Sequence, residues 1–359
     1  MFFSNKEYIK ELNYYVNNEL ELLRCFDNKK IVVTGASGLI GTYLIDMLML
    51  YNSTYDGKVY IVAVDCDLEE TELRFNNYYN SPYFTCFVND INEGVDYLPK
   101  DCDYIVHAAS NTSPVDYANN PVGTILTNVI GTRNLLEYVK DVKGCKFLFC
   151  SSVEVYGQNK GDIDEFDELY SGYVDCNTVR ASYPSGKRAA ESMCNAYKEQ
   201  YDIKFCTARI GRIFGPSIKL GDSKAPSQFI FNAINGENIL LKSDGMQLFS
   251  FGYVADCVTG LIYLLLKGEN GEAYNIAGED YTIRLRDFAN AVASIVNVKC
   301  SFKQQNDIEK SGYSKVVKAT MNISKIKKLG WETKTKLNDA LTSTISILKN
   351  EIKEVYNEV

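Results

Sequence analysis

Tyr183 and Lys187 stand four residues apart in a stretch that reads as a helix, Tyr183-Pro184-Ser185-Gly186-Lys187-Arg188-Ala189-Ala190-Glu191. Residues at that spacing share one helical face. A cation beside a phenol stabilises the phenolate and draws its pKa down from about 10 toward working pH. The pair therefore implies a group that takes a proton from a hydroxyl or returns one to a carbonyl. This spacing arises often by chance, so its surroundings carry the weight. An apolar run, Phe147-Leu148-Phe149-Cys150, ends at Ser151-Ser152, and Tyr183 follows Ser152 by 31 residues. Glu154 lies two residues past that serine. On its own it also reads as an exposed loop acid.

A second constellation lies nearer the start. Ile31-Val32-Val33-Thr34 runs into Gly35-Ala36-Ser37-Gly38-Leu39-Ile40-Gly41, and an apolar helical pattern follows at Leu44, Ile45 and Leu48. This reads as a buried strand, a tight turn and a helix N-terminus. There, backbone N–H groups and the helix dipole favour a pyrophosphate. The glycine spacing is G-x-x-G-x-x-G, so the flanking strand and helix matter more than the triplet itself. The next apolar run ends in Asp65, 24 residues past Gly41. An acid at that place accepts hydrogen bonds from the adenosine ribose and repels a 2′-phosphate, which favours NAD over NADP. The competing reading is an acid that caps the following turn. Residues 84–88 form a third short strand before Asn89-Asp90-Ile91, an acid placed to reach an adenine amine. Tyr104-Ile105-Val106-His107 runs into Ala108-Ala109-Ser110, small residues that let a cofactor approach the backbone. His107 reads as a structural histidine.

These pieces require strands that deliver them to one edge. Strand and helix patterns alternate over the first 180 or so residues, which predicts an α/β fold, a Rossmann-type doubly wound parallel sheet with ligands at the carboxyl ends of its strands. Residues 5–26 and 121–139 carry helical periods. The expected organisation is a helical extension at 1–28, a dinucleotide-binding domain at 29–215 to which 247–275 return, and a smaller substrate-binding domain from 216–246 and 276–359. Trp331 reads as core, and residues 337–348 as a terminal helix.

Composition narrows the function. A net charge of −8 and a pI near 5.0 argue against nucleic acid as partner. The eleven cysteines include no C-x-x-C pair and His107 is the single histidine, so no metal site is expected. Scattered cysteines fit a reducing, cytoplasmic setting. No signal-peptide pattern is evident, and no apolar run approaches the roughly 18 residues of a membrane span.

Residues 34–41, 107–110, 152–157, Tyr183 with Lys187, 209–216, Tyr253-Val254-Ala255-Asp256 and Leu329-Gly330-Trp331 together resemble the extended short-chain dehydrogenase/reductases of the NAD-dependent epimerase/dehydratase family. Members of that family act on nucleotide sugars. The likeness covers about residues 30–345 and leans toward the UDP-glucuronate decarboxylases. It implies an NAD site built from Gly35, Ser37, Gly38, Leu39, Ile40, Gly41, Asp65, Asp90, Ile91, Ala108, Ala109, Ser110 and Asn128, with Tyr183 and Lys187. Tyr183 would exchange the proton of the sugar C4 hydroxyl, Lys187 would bind the nicotinamide ribose, and Ser152 would hold the reacting oxygen. Glu154 stands where the decarboxylases carry Glu. Val153 replaces the acid of the dehydratases, which disfavours loss of water. Ser113, Ser152, Arg212 and Phe249 fall at substrate positions, and a homodimer through the helices at 121–139 and 183–200 is implied.

This chain also departs from its relatives. Arg212 replaces the usual Asn, Phe249 replaces the Arg that grips the diphosphate, and Ser217 replaces an Arg of the decarboxylases. The expectation is that Arg212 takes over the diphosphate, with a structural salt bridge as the alternative; Lys315 and Lys318 are weaker candidates. Three functions are compatible with these residues. The first is an internally redox-cycling epimerase or decarboxylase. The second is an NAD(P)H-dependent reductase of a nucleotide-linked ketose, and the third a non-catalytic NAD-binding protein.

Overall fold

The computed structural model describes residues 5–112, 114–241, 243–302 and 317–357. In chain order its strands are β1 (Lys30–Thr34), β2 (Tyr60–Asp65), β3 (Phe84–Val88), β4 (Tyr104–His107), β5 (Lys146–Ser152), β6 (Lys204–Ile210), β7 (Arg212–Phe214), β8 (Ile239–Leu241), β9 (Leu248–Tyr253), β10 (Ala273–Ile276), β11 (Thr282–Arg284), β12 (Cys300–Phe302) and β13 (Lys318–Ala319). Seven of them form one parallel sheet in the order β10-β6-β5-β4-β1-β2-β3. The β-branched and aromatic runs read from the sequence are its central strands, buried on both faces as a helix-covered parallel sheet demands. Strand order reverses between β1 and β4, so a crevice opens at their carboxyl ends. A smaller sheet pairs β7, β11 and β13 with β9, and β8 pairs with β12. Among the described residues no helix is long and apolar enough to cross a membrane.

Two helices differ from the sequence pattern. The period over 5–26 resolves into Lys6–Asn18, a short turn of helix at Leu20–Leu23 and a 3₁₀ turn at Arg24–Phe26. The period over 121–139 is interrupted by a π-turn at Thr127–Gly131, between helices Pro121–Leu126 and Thr132–Asp141. A π-bulge keeps the amphipathic stripe while shifting the face that follows. Here it buries Asn128 and sets Gly131 so close to Ile91 that a Cβ would lie 2.6 Å from its side chain.

The amino-terminal helix is bolted down by tyrosine–carboxylate pairs. Tyr8 and Tyr78 both donate to Asp46, at 2.7 and 2.6 Å. Tyr43, Tyr253 and Ser343 donate to Glu11. Tyr15 donates to Asp256 at 3.0 Å, and Asn5 donates to the Ile347 carbonyl at 3.1 Å. Trp331 is core, as its sequence context implies, and its indole N–H lies 3.0 Å from the Thr259 hydroxyl. The helix begun at Leu337 runs on to Asn357.

Burial pushes Asp46 up to about 6, against the opposing pull of the Tyr78 and Tyr8 hydroxyls. Its folded pKa exceeds the unfolded value, so the folded chain holds the extra proton between pH 4 and 6, and this contribution to stability falls as pH rises through that window. Urea unfolding of Asp46→Asn should gain on wild type between pH 4 and pH 7, by up to about 3 kcal/mol. A difference that stays constant with pH would contradict this account.

Candidate active site

The reacting groups are delivered by two neighbouring elements. β5 ends at Ser152, whose hydroxyl caps the 3₁₀ turn Val153–Tyr156 by accepting the Glu154 N–H at 3.3 Å. The helix Ser182–Tyr201 packs beside it and carries Tyr183 and Lys187, both buried. The Lys187 ammonium donates to the Cys150 carbonyl at 2.7 Å, lies 4.7 Å over the Phe149 ring and is 5.9 Å from the centre of the Tyr183 ring. Ser152 hydrogen-bonds the Tyr183 hydroxyl. Ser152, Tyr183 and Lys187 are therefore assembled around one point, where a substrate hydroxyl can be held between two oxygens.

The electrostatics differ from the sequence expectation. Burial pushes Tyr183 up to about 12, opposed by the Ser152 hydrogen bond and the charge of Arg180. Burial pulls Lys187 down to about 8. In the protein alone, desolvation of both groups outweighs the drop in the tyrosine pKa that their spacing suggests. His107 is a core residue: its ring nitrogens meet Thr34 at 2.8 Å and Thr132 at 3.0 Å, and burial keeps it well below the usual imidazole range.

A buried ion pair fixes the helix against the sheet. Arg209 at the end of β6 contacts both oxygens of Glu191, with Nη2 at 2.6 Å from Oε2. The Ser151 hydroxyl donates to the other oxygen at 2.5 Å. Although burial pulls Arg209 down, Glu191 holds it above its ordinary value. Nothing in the local pattern of Ser182–Tyr201 marks Glu191 for this role.

The residues expected to hold a dinucleotide lie at the carboxyl ends of the strands, where strand order reverses. Gly35 takes φ 67°, and a Cβ there would meet the Ala109 backbone at 2.7 Å. A Cβ on Gly41 would lie 2.5 Å from the Gly35 carbonyl. Gly38 begins the helix Leu39–Tyr55 and no described side chain caps it, so its first-turn N–H groups, including those of Leu39 and Ile40, remain open to an anion. Asp65 at the end of β2 accepts the Ser37 N–H at 2.9 Å and hydroxyl at 2.8 Å, which aims the carboxylate at the mouth of the turn. Asp90 is exposed beyond β3, while Ile91 is buried. Ala108 and Ala109 sit half-buried past β4, and Ser110 donates to Asn128 at 3.0 Å. An open helix N-terminus, a strand-end acid and a floor of small residues fit a dinucleotide.

The substrate candidates form a second cluster next to Ser152. The Glu154 carboxylate takes a 2.9 Å contact from Arg180 and lies 3.9 Å from Arg212. The Arg212 guanidinium is laid on the Phe249 ring, 3.9 Å from its centre. Two of the positions at which this chain departs from its relatives are thus in direct contact. Sequence reasoning missed Arg180, whose one signal was its place three residues before Tyr183. Ser217 donates to the Leu39 carbonyl at 2.7 Å, and Lys318 pairs with Asp164 at 3.1 Å. Ser113 and Lys315 lie outside the described residues.

A buried lysine whose folded pKa is depressed costs stability below that pKa. Between pH 8 and 10.5 the unfolded chain binds more protons, so stability rises with pH. The nucleotide-stripped Lys187→Met variant should therefore unfold at higher urea than wild type at pH 7. The gain should be about 1–2 kcal/mol, after allowing for the Cys150 carbonyl it leaves without its donor. A less stable variant would reject this electrostatic account.

Comparison with known proteins identifies the family. The sequence model of the NAD dependent epimerase/dehydratase family matches residues 31–277. UDP-glucuronic acid decarboxylase 3 of Arabidopsis thaliana is 34% identical over 318 residues, 88% of each chain. UDP-glucuronic acid decarboxylase 1 of Danio rerio is 32% identical over 336 residues, 92% of this chain and 75% of the relative. Among solved structures, dTDP-glucose 4,6-dehydratase from Bacillus anthracis in complex with NAD is 22% identical, with a TM-score of 0.77 over 90% of this chain and 98% of the other. UDP-glucuronic acid 4-epimerase from Bacillus cereus in complex with UDP-glucuronic acid and NAD is 22% identical, with a TM-score of 0.75 over 90% and 99%. At that identity the structures speak to the fold. The family match and the sequence relatives extend through the glycine turn, the Ser152 strand end and the Tyr183 helix, and the chain belongs to the NAD dependent epimerase/dehydratase family.

Proposed function

We propose that this enzyme removes the C6 carboxylate of UDP-glucuronate, by oxidising the sugar at C4, losing CO₂ and reducing the ketone again. The observation that carries this reading is Glu154 placed beside the Ser152–Tyr183 pair at one strand end, with apolar Val153 between it and Ser152. The likeness to UDP-glucuronic acid decarboxylases over 88% of the chain supports it.

The residues divide the work as follows. The turn at 35–41 and Asp65 would hold NAD, which would supply the hydride acceptor for C4 and later the hydride donor. Tyr183 takes the C4 hydroxyl proton while Ser152 holds the same oxygen. Lys187, charged below about pH 8, offers the cation that favours the phenolate. With C4 a ketone, the C6 carboxylate is β to a carbonyl. It leaves as CO₂ and its electron pair moves onto the C4 oxygen, held by Ser152 and Tyr183. A proton delivered to C5 completes the step. Val153 offers no acid to a leaving hydroxyl, which supports decarboxylation over dehydration.

A homodimer and a cytoplasmic setting belong to the same proposal. Exposed Val122, Ile125 and Leu126 on the Pro121–Leu126 helix support the first. Eleven free cysteines support the second.

Purified enzyme given UDP-glucuronate should release CO₂ and a UDP-pentose with no net change in NADH absorbance. An isomer of UDP-glucuronate without CO₂ would make it an epimerase, and stoichiometric consumption of added NADH a reductase. Tyr183→Phe should lower kcat by about 10²–10⁴-fold while NAD still binds. A mildly affected variant would reject Tyr183 as the proton-transfer group.

A further inference from the structure

Lys187 and Glu191 hold the Ser182–Tyr201 helix to the last residues of β5, through the Cys150 carbonyl and the Ser151 hydroxyl. Arg188, on the same helix, reaches a different part of the chain. Its Nε donates to the Val155 carbonyl at 2.7 Å and its Nη2 donates to the Gly172 carbonyl at 2.7 Å. Val155 belongs to the 3₁₀ turn Val153–Tyr156. Gly172 lies in a segment laid against that turn: the Gly172 N–H donates to the Tyr156 carbonyl at 2.9 Å, and the Gln158 N–H to the Tyr173 carbonyl at 2.9 Å. The turn ends at Gly157, which takes φ 68°. A Cβ there would lie 2.4 Å from the Tyr173 carbonyl oxygen and 3.1 Å from Nη2 of Arg188. One side chain thus joins the helix, the turn and the segment beyond it.

A guanidinium presents its N–H groups in one rigid plane, so two carbonyls on different segments are bridged with little freedom left to the side chain. A bond from a charged donor is also stronger than one between neutral groups. The contacts of this helix divide the site in two. Those of Lys187 and Glu191 end on β5, before the turn begins, and place Ser152 beside Tyr183. Those of Arg188 end on the turn itself, which carries Val153 and Glu154. Arg180 and Arg212 approach the Glu154 carboxylate, whereas Arg188 holds the backbone from which that carboxylate springs.

We infer that Arg188 is a positioning residue that holds the Val153–Tyr156 turn against the Tyr183 helix, and so governs the steps after C4 oxidation and not the oxidation itself. This deepens the proposed function and rests on it. Oxidation moves a hydride from C4 to the nicotinamide and a proton from the C4 hydroxyl to Tyr183, with Ser152 and Lys187 in support. The later steps, loss of CO₂ and protonation at C5, are those for which Val153 and Glu154 were put forward. Until they are complete and the ketone is reduced, the hydride stays on the nicotinamide. Displacing the turn alone therefore separates the two halves of the reaction.

Rapid mixing of the NAD-loaded enzyme with UDP-glucuronate reads both halves, the first by nicotinamide absorbance and the second by trapped CO₂. Arg188→Met should slow CO₂ release ~10–100-fold, the size of effect a small misplacement near the chemistry produces, and change the rate of NADH formation by less than ~3-fold. Reduced nicotinamide should then build up during turnover. Arg188→Lys, with a single nitrogen in place of the fork, should fall between Arg188→Met and wild type. Calorimetric binding of UDP certifies that a variant is folded, and if Arg188→Met fails that check Arg188→Lys carries the same comparison. Equal slowing of both halves would make Arg188 a structural residue and overturn the inference, and two unchanged rates would do the same. A wild type that turns UDP-glucuronate into another product without CO₂ overturns the proposed decarboxylation alone, and release of that product then takes the place of CO₂ in the comparison. A wild type that neither reduces its nicotinamide nor releases a product overturns both.

Discussion

The Arg209–Glu191 pair is the interaction on which the site depends. It joins the end of β6 to the helix that carries Tyr183 and Lys187, one turn beyond Lys187, and through Ser151 it reaches the end of β5. Both partners are largely buried, with side-chain exposures of 15 and 12%. Burying two charges costs several kcal/mol, and such a pair holds only when its hydrogen bonds are nearly all satisfied. Here they are. Besides Glu191, Arg209 reaches the Tyr156 hydroxyl at 3.2 Å and the Glu168 carbonyl at 2.7 Å. Tyr156 in turn donates to Asn275 on β10 at 2.6 Å. The network therefore sets the distance between Ser152 and Tyr183 and also ties that distance to the sheet's far edge.

Much of this was legible from sequence because it is local. A β-branched run before three glycines, an acid at the next strand end and a tyrosine four residues before a lysine each fall within one element or one turn. Their period and spacing survive folding unchanged. What was not legible depends on neighbours remote in sequence. Arg180 acquires meaning only when β5 places Glu154 beside it, and Glu191 only when β6 presents Arg209. The π-turn at Thr127–Gly131 preserves the apolar stripe, so periodicity alone reads through it as one helix. Likewise the pKa of Tyr183 reflects burial by elements that its own segment does not reveal.

The contact between Arg212 and Phe249 shows why substitutions read singly can mislead. At each position the change looks like a lost contact. In space the β7–β9 pairing brings the two together, so a cation is kept and re-seated on a new support. Arg212 and Phe249 stand on strands of the smaller sheet, while Ser152 ends a strand of the large one. The two can vary separately, as sites grafted on a shared scaffold do.

The tyrosine-studded helix at the start of the chain has a consequence for how the molecule comes into being. Its partners lie far along the chain: Asn5 is bonded to Ile347, Glu11 to Ser343 and Tyr15 to Thr335, separations of 342, 332 and 320 residues. Those partners are made long after it. The helix must wait, with its carboxylate Glu11 exposed to water, until the helix Leu337–Asn357 has been made. Contacts of such sequence separation are slow to form. Docking of these two helices is thus a late step, and a chain cut short before Leu337 lacks the surface on which the Lys6–Asn18 helix rests.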